Sequence, residues 1–256
     1  MAHKQNAVIE RCVVMSDLHI PFHDKKSVAL VLSFVKKFRP DVMFLNGDII
    51  DCFNISAYTK HPATKESLRD EIDETRVFLA DCRKAVGDDA RIIYVQGNHE
   101  YRLQRFLAQK ARELFELEGL TLAEQLHFKD LGIQSVEGRN KENYVQYGNV
   151  FVGHWDKANK WAGYTAKGLV EDKGVSIIQG HTHKVGMHTR RRMDGTTLIG
   201  VEYGCLCDLN PQWINTPAWT QGICVLYKNR KTNVCHVQVV QILDHEFVFD
   251  GVLWKI

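Results

Sequence analysis

Residues 91–100 read RIIYVQGNHE, and the rest of the chain can be interpreted outward from this stretch. Ile92–Val95 is a β-branched and aromatic run with the composition of a buried strand, and Gly97 tolerates the tight turn that ends it. Asn98 and His99 follow at once. Open α/β sheets place their chemistry outside the carboxyl ends of their strands, so we expect this corner to meet a ligand.

Four other apolar runs end in the same way, each in a short segment that carries Asp or His. Asp17 and His19 follow residues 13–15, Asp48 and Asp51 follow residues 42–45, His154 follows residues 150–152, and His181 and His183 follow residues 175–178. One Asp after a strand is typical of a turn or a helix cap. Five such endings, four of which supply imidazoles, instead indicate one shared site.

The side chains of this set narrow the ligand to a metal. Carboxylates, imidazoles and one amide oxygen without a cysteine form a mixed oxygen and nitrogen donor set, which suits manganese, iron or zinc more than a thiolate zinc cluster. Seven ligands are too many for one ion and suit two ions if one carboxylate bridges them. Paired cations about 3.5–4 Å apart clamp the attacking and leaving oxygens of an in-line displacement at phosphorus.

In its order and spacing, this motif set resembles that of the calcineurin-like metallophosphoesterase superfamily. The matching motifs are Asp17-x-His19, Gly47-Asp48-x-x-Asp51, Gly97-Asn98-His99-Glu100, His154 and Gly180-His181-x-His183. The resemblance covers residues 13–183 and implies an α/β fold, a four-layer αββα sandwich of two mixed β-sheets flanked by helices. It also implies a metal-dependent phosphoric ester hydrolase.

The resemblance further implies a role for each motif residue. Asp17, His19 and His183 would hold one divalent cation, Asn98, His154 and His181 would hold a second, and Asp48 would bridge the two. His99 would protonate the leaving oxygen, oriented by Asp51. A hydroxide bridging the two metals would attack phosphorus; Mn²⁺ is the preferred metal, and Fe, Zn and Ni are alternatives.

One position departs from the pattern. In most relatives an Arg follows the second Asp of the Asp48 motif and contacts the phosphate, whereas Cys52 stands here. The departure argues against a protein Ser/Thr phosphatase. Arg102 or Arg105 could supply the missing guanidinium, which matches phosphate oxygens bidentately, or could instead pair with an acidic residue.

Glu100 is expected to support a metal ligand or the loop through hydrogen bonds.

Bulk properties limit the class of protein. The 256 residues suit one domain spanning 1–256, and a formal charge of +2 gives no overall field for polyanions. Seven scattered cysteines favour reduced thiols over a disulfide framework, and Cys205-x-Cys207 favours packing over a metal or redox pair. The polar start and the lack of a run near ~20 apolar residues predict no signal segment, no membrane partner and a cytoplasmic protein.

The hydrophobic periodicity predicts alternating strands and helices up to His183 and mainly strands after it. Helices are expected over 27–38, capped by Asp24, and over 66–86, 101–118, 120–128 and 155–172. Residues 147–150 predict a hairpin turn. The strands at 133–136, 144–147, 184–193, 196–201, 223–227 and 234–242 are expected to build the second sheet.

Four surface features leave alternatives open. Residues 52–65 form either a substrate-facing rim or a packed loop, and Trp155, Asn159 and Trp161 either stack on a substrate ring or lie in the core. Residues 204–217 either close over the site or make a contact in a homodimer. Arg190–Arg192 is either a solvated edge strand or a nucleic-acid-binding patch.

The sequence therefore predicts a small-molecule phosphatase or phosphodiesterase that acts on a phosphorylated small molecule or a nucleotide. A nuclease or nucleic-acid end-processing enzyme is the alternative. A non-catalytic scaffold is disfavoured because all seven ligand positions and His99 are filled.

Overall fold

Two β-sheets packed face to face form the centre of the computed structural model, which describes residues 8–57, 59–60, 67–115, 117–137, 143–211 and 217–256. The strands are β1 (Ile9–Met15), β2 (Val42–Asn46), β3 (Arg91–Val95), β4 (Ile133–Val136), β5 (Tyr144–Tyr147), β6 (Val150–Gly153), β7 (Ser176–Gln179), β8 (Val185–Arg191), β9 (Thr197–Tyr203), β10 (Gln221–Asn229), β11 (Cys235–Ile242), β12 (Glu246–Phe249) and β13 (Val252–Lys255). The helices are α1 (Lys25–Phe38), α2 (Leu68–Val86), α3 (Tyr101–Lys110), α4 (Leu122–Gln125) and α5 (Tyr164–Lys173), with 3-10 turns at Phe53–Ile55 and Arg112–Leu114.

Both sheets mix parallel and antiparallel pairs. In the described chain the first sheet has the order β11-β10-β1-β2-β3-β4. Strands β1 to β4 are parallel, and β10 pairs antiparallel with both β1 and β11. The second has the order β5-β6-β7-β9-β8, in which β6, β7 and β9 run parallel. Neighbouring parallel strands deliver their following loops to one sheet edge.

Alternation along β1 shows how the layers form. Val13 and Met15 pack in one core with α1 and α2, whereas Cys12 and Val14 pack in another with Val152 and Ile178 of the second sheet. The far face of the second sheet packs against α5. Because side chains alternate faces along a strand, each buried strand serves two cores. The predicted four-layer αββα sandwich is confirmed.

Several predicted strands belong to a different sheet from the expected one. β4, β10 and β11 extend the first sheet, at β3 and at β1, whereas β5, β8 and β9 lie in the second as expected. Both sheets bury the same kind of apolar face, so alternation marks a strand without showing which sheet it joins. The β12–β13 hairpin was not predicted at all.

The helix boundaries follow local caps. Asp24 caps α1 by accepting a hydrogen bond from the amide of Ser27, as predicted, and Ser67 begins α2 with a capping box. The predicted helix over 101–118 ends at Lys110. The predicted helix over 155–172 begins only at Tyr164, because Gly163 adopts a positive φ before it. None of the helices described is long and apolar enough to cross a membrane.

The loops that carry the predicted site residues meet at one edge of the fold. The turn predicted at residues 147–150 forms the β5–β6 hairpin, with Tyr147 paired to Val150, so that β6 enters the second sheet and leads to His154. The segments after β1, β2, β3, β6 and β7 then converge between the two sheets.

Candidate metal centre

Strained backbone marks the segments that carry the predicted ligands. Several of these residues adopt the left-handed region that non-glycine residues rarely occupy. They are Asp17 (φ 55°), His19 (φ 52°), Asp48 (φ 52°), His181 (φ 72°) and His183 (φ 55°). Such strain persists only where surrounding contacts fix it, and it clusters at functional sites.

The first cluster joins Asp17, His19 and His183. His183 Nε2 lies 3.2 Å from Asp17 Oδ1 and 3.0 Å from His19 Nε2, and all three side chains are buried. The amide of His181 donates to the Asp17 carboxylate at 2.9 Å. Burial would raise the pKa of Asp17, but the charges of His183 and His154 outweigh it and lower that pKa to about 2.

The second cluster joins Asp48, His154 and His181. His154 Nε2 lies 3.2 Å from Asp48 Oδ2, while its Nδ1 donates to the carbonyl oxygen of Asn46 at 2.7 Å. Burial would lower the pKa of His154, but the charges of Asp48 and Asp17 raise it to about 10. The environment around this imidazole therefore strongly favours positive charge.

Asp48 lies between the two clusters. Its Oδ2 is 3.9 Å from His19 Nε2 and 3.2 Å from His154 Nε2, and its Oδ1 accepts from the amide of His99 at 2.9 Å. A carboxylate that faces ligands of both clusters is placed as a bridging group would be.

The donor set fits divalent cations. His154 Nε2 and Asn98 Oδ1 are buried without a hydrogen-bond partner in the described structure. In the neutral ring, whose Nδ1 donates to Asn46, Nε2 is an acceptor, and a buried acceptor left unpaired is costly unless a cation completes it. The donors are carboxylate, imidazole and amide groups, the chemistry that suits Mn²⁺, Fe or Zn.

A third group of side chains surrounds His99. Asp51 Oδ2 lies 3.1 Å from both His99 Nδ1 and His19 Nδ1, while Arg102 Nη1 donates to Asp51 Oδ1 at 2.7 Å. The carboxylate thereby fixes Nδ1 of both rings as donors and turns both Nε2 atoms toward Asp48. Burial would lower the pKa of His99, but the charge of Asp48 and the hydrogen bond with Asp51 raise it overall.

Glu100 holds the loops in place from beneath. It is fully buried, and its carboxylate accepts from the amides of Asp48 (3.0 Å), Ile49 (2.8 Å) and Gly97 (2.8 Å) and from the hydroxyl of Tyr94 (2.6 Å). These bonds tie the loop after β2 to the loop after β3. The expected supporting role of Glu100 agrees with this geometry.

A sequence model of the calcineurin-like phosphoesterase family matches residues 10–185, more than half of the chain. The chain belongs to this family. It is therefore a metal-dependent phosphoric ester hydrolase.

Similar proteins and structures span almost the whole chain. The Gene 54 proteins of Mycobacterium phages D29 and L5 are each 27% identical, over 96% of this chain and 99% of the phage protein. Among solved structures, Vps29 from Entamoeba histolytica in complex with zinc is 14% identical over 95% of both chains, with a TM-score of 0.44. Purple acid phosphatase PPD1 from yellow lupin seeds is 13% identical over 96% of this chain and 53% of that chain, with a TM-score of 0.45.

Two candidates for the phosphate-binding cation differ in this phosphoesterase. Arg102 is buried, lines the cavity above the clusters and contacts both Asp51 and His99, with 3.0 Å between its Nη2 and His99 Nε2. Arg105 is exposed and does not border that cavity in the described structure. Cys52 is buried in the core and supplies no cation to the cavity.

Sequence reasoning missed three contacts in this centre. Asp51 orients His19 as well as His99, Cys207 Sγ lies 3.7 Å from His183 Nδ1, and Asp156 Oδ1 lies 3.6 Å from His181 Nε2. The contact of Asp156 could have been predicted, because Asp156 follows the motif residue His154 by two positions. The contact of Cys207 could not, because it depends on the chain returning from the second sheet to the first.

The cavity beside the clusters has a volume of about 580 Å³. Phe53 and Thr59 from the 52–65 loop and Asp208 and Pro211 from the 204–217 loop line it, so both loops border the site. Trp155 is buried in the core, as the alternative reading held, and Trp161 is 62% exposed away from the cavity. Other residues of these loops lie outside the described ones: Tyr58, residues 61–66 and residues 212–216, with Trp213 among them.

Proposed function

We propose that this protein is a binuclear phosphoesterase that hydrolyses phosphate mono- or diesters of a small molecule or a nucleotide. The observation that carries the proposal is the position of Asp48, whose Oδ2 faces one histidine of each cluster. The ligand assignment is the one that the family resemblance implies, and the two clusters support it. Asp17, His19 and His183 would hold one cation, Asn98, His154 and His181 would hold the other, and Asp48 would bridge them.

The side chains around the cavity divide the work of ester cleavage. When bound, the two cations polarise the phosphoryl oxygens and make coordinated water more acidic. In its charged form His99 carries the proton for the leaving oxygen on Nε2, which lies 3.8 Å from Asp48 Oδ2 and 3.0 Å from Arg102 Nη2, while Asp51 holds Nδ1. Arg102 contacts the phosphate from the same wall of the cavity.

Mn²⁺ is the proposed metal and the cytoplasm the proposed compartment. The oxygen and nitrogen donors suit Mn²⁺, with Fe, Zn and Ni as alternatives. All seven cysteines are buried free thiols, which agrees with a reducing compartment.

Reconstitution with metal tests the proposal. Metal-stripped protein is loaded with Mn²⁺, Zn²⁺, Fe²⁺ or Ni²⁺ and assayed on an aryl monophosphate, an aryl phosphodiester, cyclic nucleotides and single-stranded DNA. We expect turnover of the small esters that Asp48→Asn abolishes and that the surface variant Asp194→Asn retains. A folded preparation that takes up no divalent cation, or that cleaves no ester when loaded, would contradict the proposal.

A further inference from the structure

The cavity beside the metal centre is larger than a phosphate group requires, and part of its lining is aromatic. Its lining includes Phe22, Phe53 and Trp219, all of them half-buried, and the ligand-bearing wall forms only part of its surface. At about 580 Å³ it falls within the range of pockets that enclose a small organic ligand. A phosphate group alone would leave most of this volume unfilled.

These aromatic side chains are fixed to the segments that carry the clusters. The amide of Phe22 donates to the carbonyl oxygen of His19, and the amide of Phe53 donates to Glu71 at 3.0 Å. The Trp219 ring lies 4.4 Å from the His183 ring, edge to face. The Phe22 and Phe53 rings also pack edge to face, with 5.5 Å between their centroids, and rings that pack against neighbouring rings lose little entropy when they bind a ligand.

The protein side chains around the cavity, considered apart from the proposed cations, favour one negative charge on the phosphorus group over two. Among the described lining residues the only permanent cation is Arg102, and Asp51 already offsets it at 2.7 Å. Asp208 adds a carboxylate to the same lining. A phosphate monoester is largely a dianion at neutral pH, whereas a diester carries one charge, so the carboxylate opposes the monoester more strongly.

We propose that the preferred substrate is a small phosphodiester with one arm that bears a flat aromatic ring, such as a nucleobase or an aryl group. Phe22, Phe53 and Trp219 receive that arm. Stacking of a base on an aromatic side chain contributes about 1–3 kcal/mol, enough to set a tenfold preference. A cavity of about 580 Å³ suits one such arm rather than an extended strand. This inference rests on the phosphoesterase function proposed above.

Substrates that share one leaving group test the inference. The metal-loaded protein is assayed on 4-nitrophenyl phosphate, methyl 4-nitrophenyl phosphate, phenyl 4-nitrophenyl phosphate and thymidine 5′-(4-nitrophenyl phosphate). We expect kcat/KM at least tenfold higher for the methyl diester than for the monoester. We expect a further gain of about tenfold for the ring-bearing diesters, mainly through KM. The phenyl and thymidine arms separate an aryl preference from a nucleoside preference.

Variants connect the preference to the named side chains. Trp219→Leu and Phe22→Leu should each lower the ratio of ring-bearing to methyl diester by about fivefold or more, whereas Trp161→Leu, exposed and away from the cavity, should leave the ratio unchanged. Calorimetry gives an independent reading. Thymidine 5′-methylphosphonate should bind about tenfold more tightly than methyl methylphosphonate.

The outcomes separate this inference from the proposed function. Turnover with the monoester preferred, equal ratios in Trp219→Leu and the parent protein, or cleavage of single-stranded DNA above the thymidine diester would each overturn the inference and leave a phosphoesterase. No turnover of any ester would contradict the proposed function and the inference together.

Discussion

One carboxylate oxygen serves two imidazoles in this site. Asp51 Oδ2 lies 3.1 Å from Nδ1 of both His19 and His99, so a single side chain fixes the tautomer of a proposed ligand and of the proposed acid. Arg102 neutralises the other oxygen of that carboxylate. Asp51 therefore supports both the proposed metal ligand His19 and the proposed acid His99. Separate substitutions of His99 and Asp51 distinguish the two roles.

Replacing the proposed acid should depend on the leaving group. His99→Ala removes Nε2, and general acid catalysis contributes about 10²–10⁴-fold to rate where the leaving oxygen is basic. We expect a loss of that size on an alkyl ester and a loss below about tenfold on a 4-nitrophenyl ester. Rates on both esters are measured together with metal content, which should stay unchanged. Equal losses on both esters would remove His99 from the acid role.

Replacing Asp51 should affect metal binding as well as rate. In Asp51→Asn an NH₂ donor must face either the two ring Nδ1 atoms or Arg102, so the charged support of His19 is lost and the affinity of the Asp17, His19 and His183 cluster should fall about 10–100-fold. Titration of metal into the stripped variant measures this effect. Asp208→Asn, in the same cavity but outside the clusters, serves as the control. An unchanged affinity would mean that Asp51 acts on His99 alone.

At the scale of elements, the loops after β2 and β3 depend on Glu100. Its carboxylate accepts hydrogen bonds from four backbone amides and one hydroxyl in a fully buried position, and burial and the neighbouring Asp48 raise its pKa. In Glu100→Gln the side-chain amide must face at least one of these donors. Each buried donor left unpaired costs about 1–3 kcal/mol.

We therefore expect Glu100→Gln to lower the free energy of unfolding by about 3 kcal/mol and to weaken metal uptake. Urea denaturation and metal analysis measure the two effects. Glu113→Gln, on the exposed turn after α3, is the matched control and should change neither. A variant as stable as the parent protein would show that the loops hold their shape without this carboxylate.

A cluster at the far end of β1 should give stability a pH dependence. Glu10 is buried beside Lys228 (2.6 Å), Arg230 (3.1 Å) and Arg91 (3.4 Å). Burial would raise the pKa of Glu10, but Lys228 and Arg230 outweigh it and lower that pKa. Because the folded pKa is below the unfolded one, near 4.3, the stabilisation is complete at neutral pH and is lost as pH falls through the folded pKa.

Glu10→Gln should accordingly be about 2 kcal/mol less stable than the parent protein at pH 7. The difference should shrink as pH falls below about 4. Urea denaturation of both proteins from pH 3 to pH 8 measures it. A difference that stays constant over this range would assign the effect to packing rather than to charge.

The residues of the site could be predicted from the sequence more accurately than the sheet to which each strand belongs. Motif residues directly follow apolar runs, so the convergence of Asp17, Asp48, His154 and His183 could be predicted from strand ends alone. The sheet to which β10 belongs could not, because its alternation fits either sheet. The contact between Asp51 and His19 could not be predicted either, since it depends on how two loops pack.

For the whole molecule, the proposed cations would connect the two sheets. Asp17, Asp48 and Asn98 follow strands of the first sheet, whereas His154 and His181 follow strands of the second. Unfolding must separate these side chains, so cations bound only by the folded state should stabilise the fold as a whole. Stability then becomes a measure of how the site is filled.

Removal of metal should lower the melting temperature, because the stabilisation by a bound cation grows with the logarithm of the free cation concentration above Kd. At a free cation concentration one hundred times Kd, each site adds about 2.7 kcal/mol. For a chain of this size that corresponds to about 5–10 °C, so two sites should give about twice the shift of one. Calorimetric scans of the stripped protein across a Mn²⁺ titration, with metal analysis of the saturated form, should show two ions per chain. His154→Ala should retain only the part of the shift that belongs to the Asp17 cluster, while the surface variant His127→Ala should retain all of it. One ion per chain, or a melting temperature that does not respond to metal, would contradict a paired centre between the sheets and leave Asp48 with a single cation to bind.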